Sequence, residues 1–401
     1  MSYTCSVIKG GTVTTPQGFY AGAVEAGIKY KKRLDLGVLY SEKPCIAAGV
    51  FTDVAIKAAP VLVSKRNLMN HTAQAVIVNS GCANAYTGDK GIADAIAGAE
   101  ATAEKLKIAP SDVIVASTGV TGVMMPMDKW IAGIEALTYL RNGGSKLARA
   151  MMTTDTVPKE IAVEVKINGT KFTIGGVAKG SGMIHPNMGT MLSFITTDAA
   201  IDALLLQSLL KNVADETFNM VTVDGDTSPS DSLVALANGM SGVMIDPENN
   251  GEAFYNGLYQ VCLHLAKSIA RDGEGATKLI EVVVNEAASI SDARSAARTI
   301  AGSPLVKTAI HGNDPNWGRI IAALARSGAK IDMEKIELSI NSISMMKAGK
   351  PEKFDAKQAS KALHKDTALI KLKLGMGSAS ATAWGCDLTK EYVTINSDYT
   401  T

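Results

Sequence analysis

The stretch "KGSGMIHPNMGTMLSFITTD", Lys179–Asp198, carries glycines at 180, 182 and 189 and a proline at 186, and then runs directly into an apolar segment opened by Thr190. Glycine reaches backbone conformations closed to other residues and proline fixes one torsion, so a loop built from both is held in shape. Upstream, Ile161, Val163, Val165 and Ile167 alternate with polar residues. Asn168-Gly169 then supplies a two-residue turn whose twist suits paired antiparallel strands, and Lys171–Val177 returns. The opening stretch therefore leaves a hairpin, passes through a rigid loop and enters a further strand, "TMLSFIT", with Thr190 as its first residue.

The same reading extends outward. "AVIVN" (Ala75–Asn79) and "DVIVA" (Asp112–Ala116) are short β-branched runs of buried-strand type, and between them Ile92, Ile96, Ala99, Ala103 and Leu106 recur at helical spacing. This predicts a strand, loop, helix, strand unit with glycine-bearing loops, "NSGCANAYTG" and "STGVTG", at strand ends, where α/β proteins keep their sites. Phe254, Leu258, Val261, Leu265 and Ile269 mark an amphipathic helix; "LIEVVV" (279–284) is read as a buried strand, and "IELSI" (336–340) and "IKLKLG" (370–375) as half-exposed ones. Hairpins interspersed with helices predict an α+β chain: mixed sheets covered by helices, and not a doubly wound parallel sheet.

With 401 residues, 46% hydrophobic and 20% charged, the chain can bury a large core and lacks a disorder signature. Forty basic against 39 acidic residues leave a formal charge of +1, without the excess that phosphate-backbone binding needs, so no nucleic-acid partner is expected. The N-terminus lacks the basic and apolar regions of a signal peptide, and the apolar runs are strand-sized; a cytoplasmic protein with no membrane association is expected. Cys5, Cys45, Cys82, Cys262 and Cys386 form no CxxC pair, and the five histidines make no HxxxH, so neither a disulfide framework nor a metal site is expected.

Nucleotide motifs fail on inspection. "GGVAKGSG" places its lysine before the glycine, and "GSGMIH" and "GEGATK" lack the third glycine of a dinucleotide fingerprint. What remains is Lys179, Thr190 and the loop between them. A threonine hydroxyl is a weak nucleophile without a neighbouring base. Cutting the chain before it turns its own α-amine, which ordinarily titrates near about pH 8, into that base. On the residues alone the competing reading is a tight connection entering an ordinary strand.

"KGSGMIHPNMGTML" resembles the processing motif of the ornithine acetyltransferases, the glutamate N-acetyltransferases of arginine biosynthesis. "AGIKYKKRLDLGVLYS", "AAGVFTDVAIKAAPV", "NSGCANAYTG", "STGVTG", "TTDTVPK", "VDGDTSPSDSLVALANG", "ARDGEGATKLIEVVV", "GNDPNWGRI" and "YVTINSDYTT" resemble family blocks in family order, over essentially the whole chain. The resemblance implies self-cleavage between Gly189 and Thr190 into chains 1–189 and 190–401, assembled two of each. It implies Thr190 as nucleophile, Thr118 and Gly119 as oxyanion hole, and substrate contacts from Thr153 or Thr154, Lys179, Glu274, Asn396 and Thr401. The implied reaction moves acetyl from N2-acetylornithine to glutamate through an acetyl-threonine, with no cofactor and with acetyl-CoA as an alternative donor in some members. Two positions depart from the family pattern: Gly189 stands where alanine is commonest, and Cys82 where asparagine is often found. The alternatives weighed are a related self-processing aminopeptidase and a non-catalytic amino-acid-binding protein.

Overall fold

The computed structural model describes residues 3–185 and 191–398, and all statements below concern those residues. Gly189, Thr190 and Thr401 lie outside them. Two mixed sheets and the helices between and around them make up the fold. The first, nine-stranded, runs in the order Tyr3–Val7, Lys159–Ile167, Thr170–Lys179, Leu192–Thr197, Ser232–Ala237, Leu36–Phe51, Thr72–Asn79 and Val113–Ser117, with Phe19–Val24 also paired to Leu36–Phe51. The second, seven-stranded, has Leu279–Ala287 between a parallel neighbour, Thr367–Lys373, and an antiparallel one, Ala379–Cys386.

The hairpin forms as its sequence dictates. Lys159–Ile167 pairs antiparallel with Thr170–Lys179, and Ile167 faces Thr170 across the two-residue loop. Asn168 and Gly169 adopt φ of 48° and 79°, the left-handed pair a type I′ turn requires, and both residue types tolerate it. Ile161, Val163, Val165 and Ile167 are all buried. They meet the helix Gly251–Arg271, which lies between the two sheets and buries Phe254, Leu258, Val261, Leu265 and Ile269. Burying a side chain of this size contributes about 1.5–3 kcal/mol each, so this helix holds the two sheets together.

The predicted strand, helix, strand unit is present as Thr72–Asn79, Gly88–Leu106 and Val113–Ser117, with the strands parallel. Its edge strand is covered by the helix Ala59–Asn67, whose Ser64 hydroxyl donates to the Val115 carbonyl (2.7 Å) and accepts from the Val115 N–H (2.8 Å). Glu337–Ile340 and Thr367–Lys373 are the two half-exposed strands expected. "LIEVVV" is a strand, but one face only is fully buried: Val282 and Val284 are in the core while Glu281 and Val283 are half-buried.

Leu192–Thr197 is the strand that follows Thr190. It pairs antiparallel with Thr170–Lys179, placing Leu192 opposite Lys179, and parallel with Ser232–Ala237, placing Leu192 opposite Ser232. The 189–190 bond thus lies in the connection between two adjacent strands of one sheet. Backbone hydrogen bonds join Thr170–Lys179 to Leu192–Thr197 across this connection, and described residues before and after it share one core. No helix among the described residues is long and apolar enough to cross a membrane.

Candidate active site

The Asn79–Cys82 and Ser117–Val120 loops leave the parallel strands side by side. Asn79 ties them together: its side chain accepts from Ser117 Oγ (2.6 Å) and donates to the Cys82 carbonyl (2.8 Å), and its own carbonyl takes the Thr118 N–H (3.0 Å). Gly119 sits at φ 124° against the backbone of Gly81. A Cβ on Gly119 would lie 2.5 Å from the Gly81 carbonyl carbon, so only glycine fits. Cys82 is buried, its thiol directed at the Val123 carbonyl (3.6 Å), and burial pushes the thiol up from its ordinary value, as befits a packed small side chain.

Lys179 ends its strand and is 2% exposed. Its ammonium donates to Thr153 Oγ1 (2.9 Å) and to Thr118 Oγ1 (3.3 Å), and stands 4.0 Å from Asp155 Oδ2. An ammonium can only donate, so Thr118 and Thr153 must accept, and the hydrogen of each hydroxyl is left to point elsewhere. Among the described residues neither the Thr118 O–H nor the Gly119 N–H has an acceptor. Both groups line a cavity of about 110 Å³, together with Ala83, Thr153, Thr154, Lys179, Gly182, Ser228, Ser230, Glu274 and Asn396. A hydroxyl backed by a cation, beside an N–H with no acceptor among the described residues, offers a pair of donors to negative charge that enters the cavity.

Glu274 belongs to the same wall. Its N–H donates to the Ser181 carbonyl (2.9 Å), and its carboxylate lies over Gly182, where a Cβ would meet it at 2.4 Å. Asn396, on the helix Lys390–Asp398, donates to Glu274 Oε2 (2.7 Å), so the C-terminal segment folds back onto the cavity. Thr154 shares a hydrogen bond with Ser181 (2.7 Å), and Thr153 serves Lys179, so both threonines belong to the wall. Every described site residue named from the sequence (Thr118, Gly119, Thr153, Thr154, Lys179, Glu274 and Asn396) lines this one cavity. One cation and one carboxylate, Lys179 and Glu274, on its lining suit an amino-acid-like ligand.

Behind Lys179 is a set of charges that sequence reading did not identify. Lys159, 1% exposed at its side chain, bridges Asp155 (2.7 Å) and Asp272 (2.6 Å), and Asp155 also accepts the N–H groups of Gly180 (2.7 Å) and Thr153 (3.0 Å). The signal for Lys159 was its parity, since it shares the buried face of Ile161 and Val163. Burial works to raise the Asp155 carboxyl, but Lys179, Lys159 and the Gly180 N–H outweigh it and hold Asp155 well below the usual carboxylate range; at Lys179 burial prevails over the attraction of Asp155 and pushes the ammonium below its ordinary value. A depressed carboxyl contributes stability that is complete above its unfolded pKa of about 3.9 and is lost as pH falls toward the folded value. Asp155→Asn leaves two buried lysines short of a partner and is expected to cost about 3–5 kcal/mol at pH 7. The gap in urea midpoint between wild type and variant should hold from pH 7 to about pH 4 and narrow below it; a gap still undiminished at pH 3 would refute this assignment.

Comparison with known proteins points one way. The family profile described as "ArgJ family" matches residues 20–401. The Arginine biosynthesis bifunctional protein ArgJ of Dehalococcoides mccartyi is 52% identical over 408 residues, covering 100% of both chains. The protein of the same name from Symbiobacterium thermophilum is 49% identical over 397 residues, 98% of this chain and 99% of that one. Among solved structures, the Arginine biosynthesis bifunctional protein argJ of Bacillus halodurans superposes with a TM-score of 0.52 at 48% identity, covering 52% of this chain and 100% of that chain.

Proposed function

The chain belongs to the ArgJ family and is an acyltransferase of arginine biosynthesis; from that premise we propose that it moves acetyl from N2-acetyl-L-ornithine to L-glutamate through an acetyl group carried on Thr190. The observation that carries this reading is the cavity itself. Thr118 and Gly119, whose O–H and N–H have no acceptor among the described residues, line it beside Lys179, which ends the strand paired to the one that Thr190 precedes.

The chemistry begins with cleavage. The Thr190 hydroxyl adds to the Gly189 carbonyl, the C–N bond breaks as the new C–O bond forms, and water hydrolyses the resulting ester. A Gly189 carboxylate, a free Thr190 hydroxyl and a free α-amine remain. In transfer the amine takes the hydroxyl proton as the oxygen attacks the acetyl carbonyl of acetylornithine, and Thr118 and Gly119 hold the oxyanion. Collapse breaks the C–N bond, the proton passes to the leaving ornithine amine, and the ester stays on Thr190. The glutamate amine then attacks the ester and restores the hydroxyl. Glu274 meets the ornithine side-chain cation and Lys179 the substrate carboxylate, while Thr153, Thr154, Asn396 and Thr401 complete the wall.

This cycle needs no cofactor. Relatives named bifunctional support a second activity for this chain, and acetylation of glutamate from acetyl-CoA is the one we assign. A family chain whose whole length matches about half of this one is in keeping with a protein divided in two. Because the strands flanking the 189–190 bond share one sheet, the pieces stay together after cleavage, as a two-plus-two assembly in the cytoplasm, where the five free thiols remain reduced.

The test is an acetyl-transfer assay with glutamate as acceptor and N2-acetylornithine or acetyl-CoA as donor, with the mass of the Thr190 fragment read in parallel. Acetylglutamate from both donors and one added acetyl on that fragment are expected. Free acetate formed without an acceptor would replace this reading with a hydrolase, and binding without an acetyl-enzyme would replace it with an amino-acid-binding protein.

A further inference from the structure

The block "VDGDTSPSDSLVALANG", residues 223–239, has no role in the chemistry above, yet its start and its middle grip the chain on both sides of the 189–190 bond. On the N-terminal side, Asp224 accepts the N–H of Met183 (2.6 Å) and of Ile184 (2.9 Å), and the Val223 N–H donates to the Ile184 carbonyl (2.8 Å). Met183 holds a left-handed φ of 55°, costly for a non-glycine residue, and the Asp224 carboxylate accepts the N–H groups of this residue and the next. On the C-terminal side, Asp231 accepts the N–H of Met191 (2.7 Å) and the Ser232 N–H donates to the Met191 carbonyl (3.1 Å). Asp231 is fully buried, and its second oxygen has no partner among the described residues, nor has the Ser230 hydroxyl beside it on the cavity wall.

We propose that Asp224 and Asp231 are positioning residues for self-cleavage, each fixing the backbone on one side of the 189–190 bond, and that Asp231 alone goes on to position the nucleophile in acetyl transfer. This rests on Thr190 being that nucleophile. The asymmetry follows from connectivity. Once the bond is cut, what Asp224 holds, Met183 on the cavity wall, is no longer joined to the nucleophile, whereas Met191, held by Asp231, is the second residue of the chain that begins with the nucleophile. Displacement of a reacting group by about 1 Å is enough to cost about 10²-fold in rate. Burial pushes the Asp231 carboxyl well above the ordinary range, and ionised or protonated it keeps a lone pair for the Met191 N–H. An acceptor is therefore what the site requires, and asparagine supplies one.

The experiment uses full-length Asp224→Ala, Asp231→Ala and Asp231→Asn proteins. Cleavage is timed by intact mass, and turnover with N2-acetylornithine and glutamate is expressed per cleaved chain. Asp224→Ala should slow cleavage at least about tenfold, while the chains that do cleave turn over within about threefold of wild type. Asp231→Ala should slow cleavage and also lower turnover per cleaved chain by about 10²-fold, and Asp231→Asn should recover most of both losses. Equal damage from alanine and asparagine at 231, or wild-type behaviour of Asp231→Ala, overturns the proposal; so does a turnover loss in Asp224→Ala matching that in Asp231→Ala. If Asp231→Ala fails to fold, the asparagine variant decides, because full loss in a folded Asp231→Asn protein is incompatible with an acceptor role. A wild-type chain that neither cuts nor takes up acetyl condemns the Thr190 reading itself; normal wild-type chemistry with indifferent variants condemns only the roles given to the two aspartates.

Discussion

Thr190→Ala is expected to persist as one chain of 41.9 kDa and to lose acetyl transfer by on the order of 10³-fold or more. The loss is compound. Without the hydroxyl there is no attack on the Gly189 carbonyl, hence no cut; without the cut there is no α-amine to serve as base. On the proposed mechanism alanine removes nucleophile and base together, although only one side chain changes. Thr190→Ser keeps a hydroxyl on the same carbon and is expected to cleave, more slowly, because the lost methyl frees χ1 to leave the attacking rotamer. In the wild type, activity should climb as pH rises through the α-amine's pKa, near about 8, since the base works only when neutral. Intact mass over several days checks the first part; appearance of the 190–401 fragment in the alanine variant would show that the hydroxyl at 190 does not make the cut.

The sequence foretells some of this architecture by local rules and other parts only through tertiary context. The hairpin of Lys159–Ile167 and Thr170–Lys179 was legible in full, because period-two alternation and an Asn-Gly turn are both short-range signals. The sixteen-residue strand Leu36–Phe51 was not read as one element. Its middle is Glu42-Lys43-Pro44, three exposed residues that interrupt any strand pattern, and the chain accommodates them as an irregularity in the pairing with Thr72–Asn79 between Tyr40 and Cys45. A proline is tolerated where the ladder is already broken. Short-range pattern sees the break and cannot see the resumed pairing.

The site divides in the same way. Thr118, Gly119, Lys179, Glu274 and Asn396 come from separate parts of the chain, and spacing alone gives none of them a role. Family resemblance grouped them, and the cavity brings them together. Asp155, Asp224 and Asp231 all lay in stretches that resembled the family, but nothing local says that a carboxylate at 231 will meet the N–H of Met191, forty residues earlier in the chain. All three accept backbone N–H groups, and such contacts leave no composition signal.

Gly119→Ala, on a cleaved enzyme, is expected to lower turnover by about 10²–10³-fold, the usual effect of losing one oxyanion donor, with a smaller change in KM for acetylornithine. The methyl has nowhere to go: its nearest neighbours are the carbonyl carbon, Cα and nitrogen of Gly81 at 2.5–2.7 Å, all backbone, and φ of 124° is strained for any L-residue. The Ser117–Val120 loop must therefore move away from Gly81, and the Gly119 N–H moves with it. Thr118→Ala provides the contrast. It deletes the other donor without forcing a shift, since the residue is an ordinary one on the cavity wall and the Thr118 N–H stays on the Asn79 carbonyl. It also removes one of the two hydroxyls that accept from Lys179, freeing that ammonium for the substrate carboxylate. Thr118→Ala should thus lose turnover while KM stays level or falls. If Gly119→Ala retained full turnover, the oxyanion would have to be held elsewhere, and the cation-backed hydroxyl at 118 would lose its place in the mechanism with it.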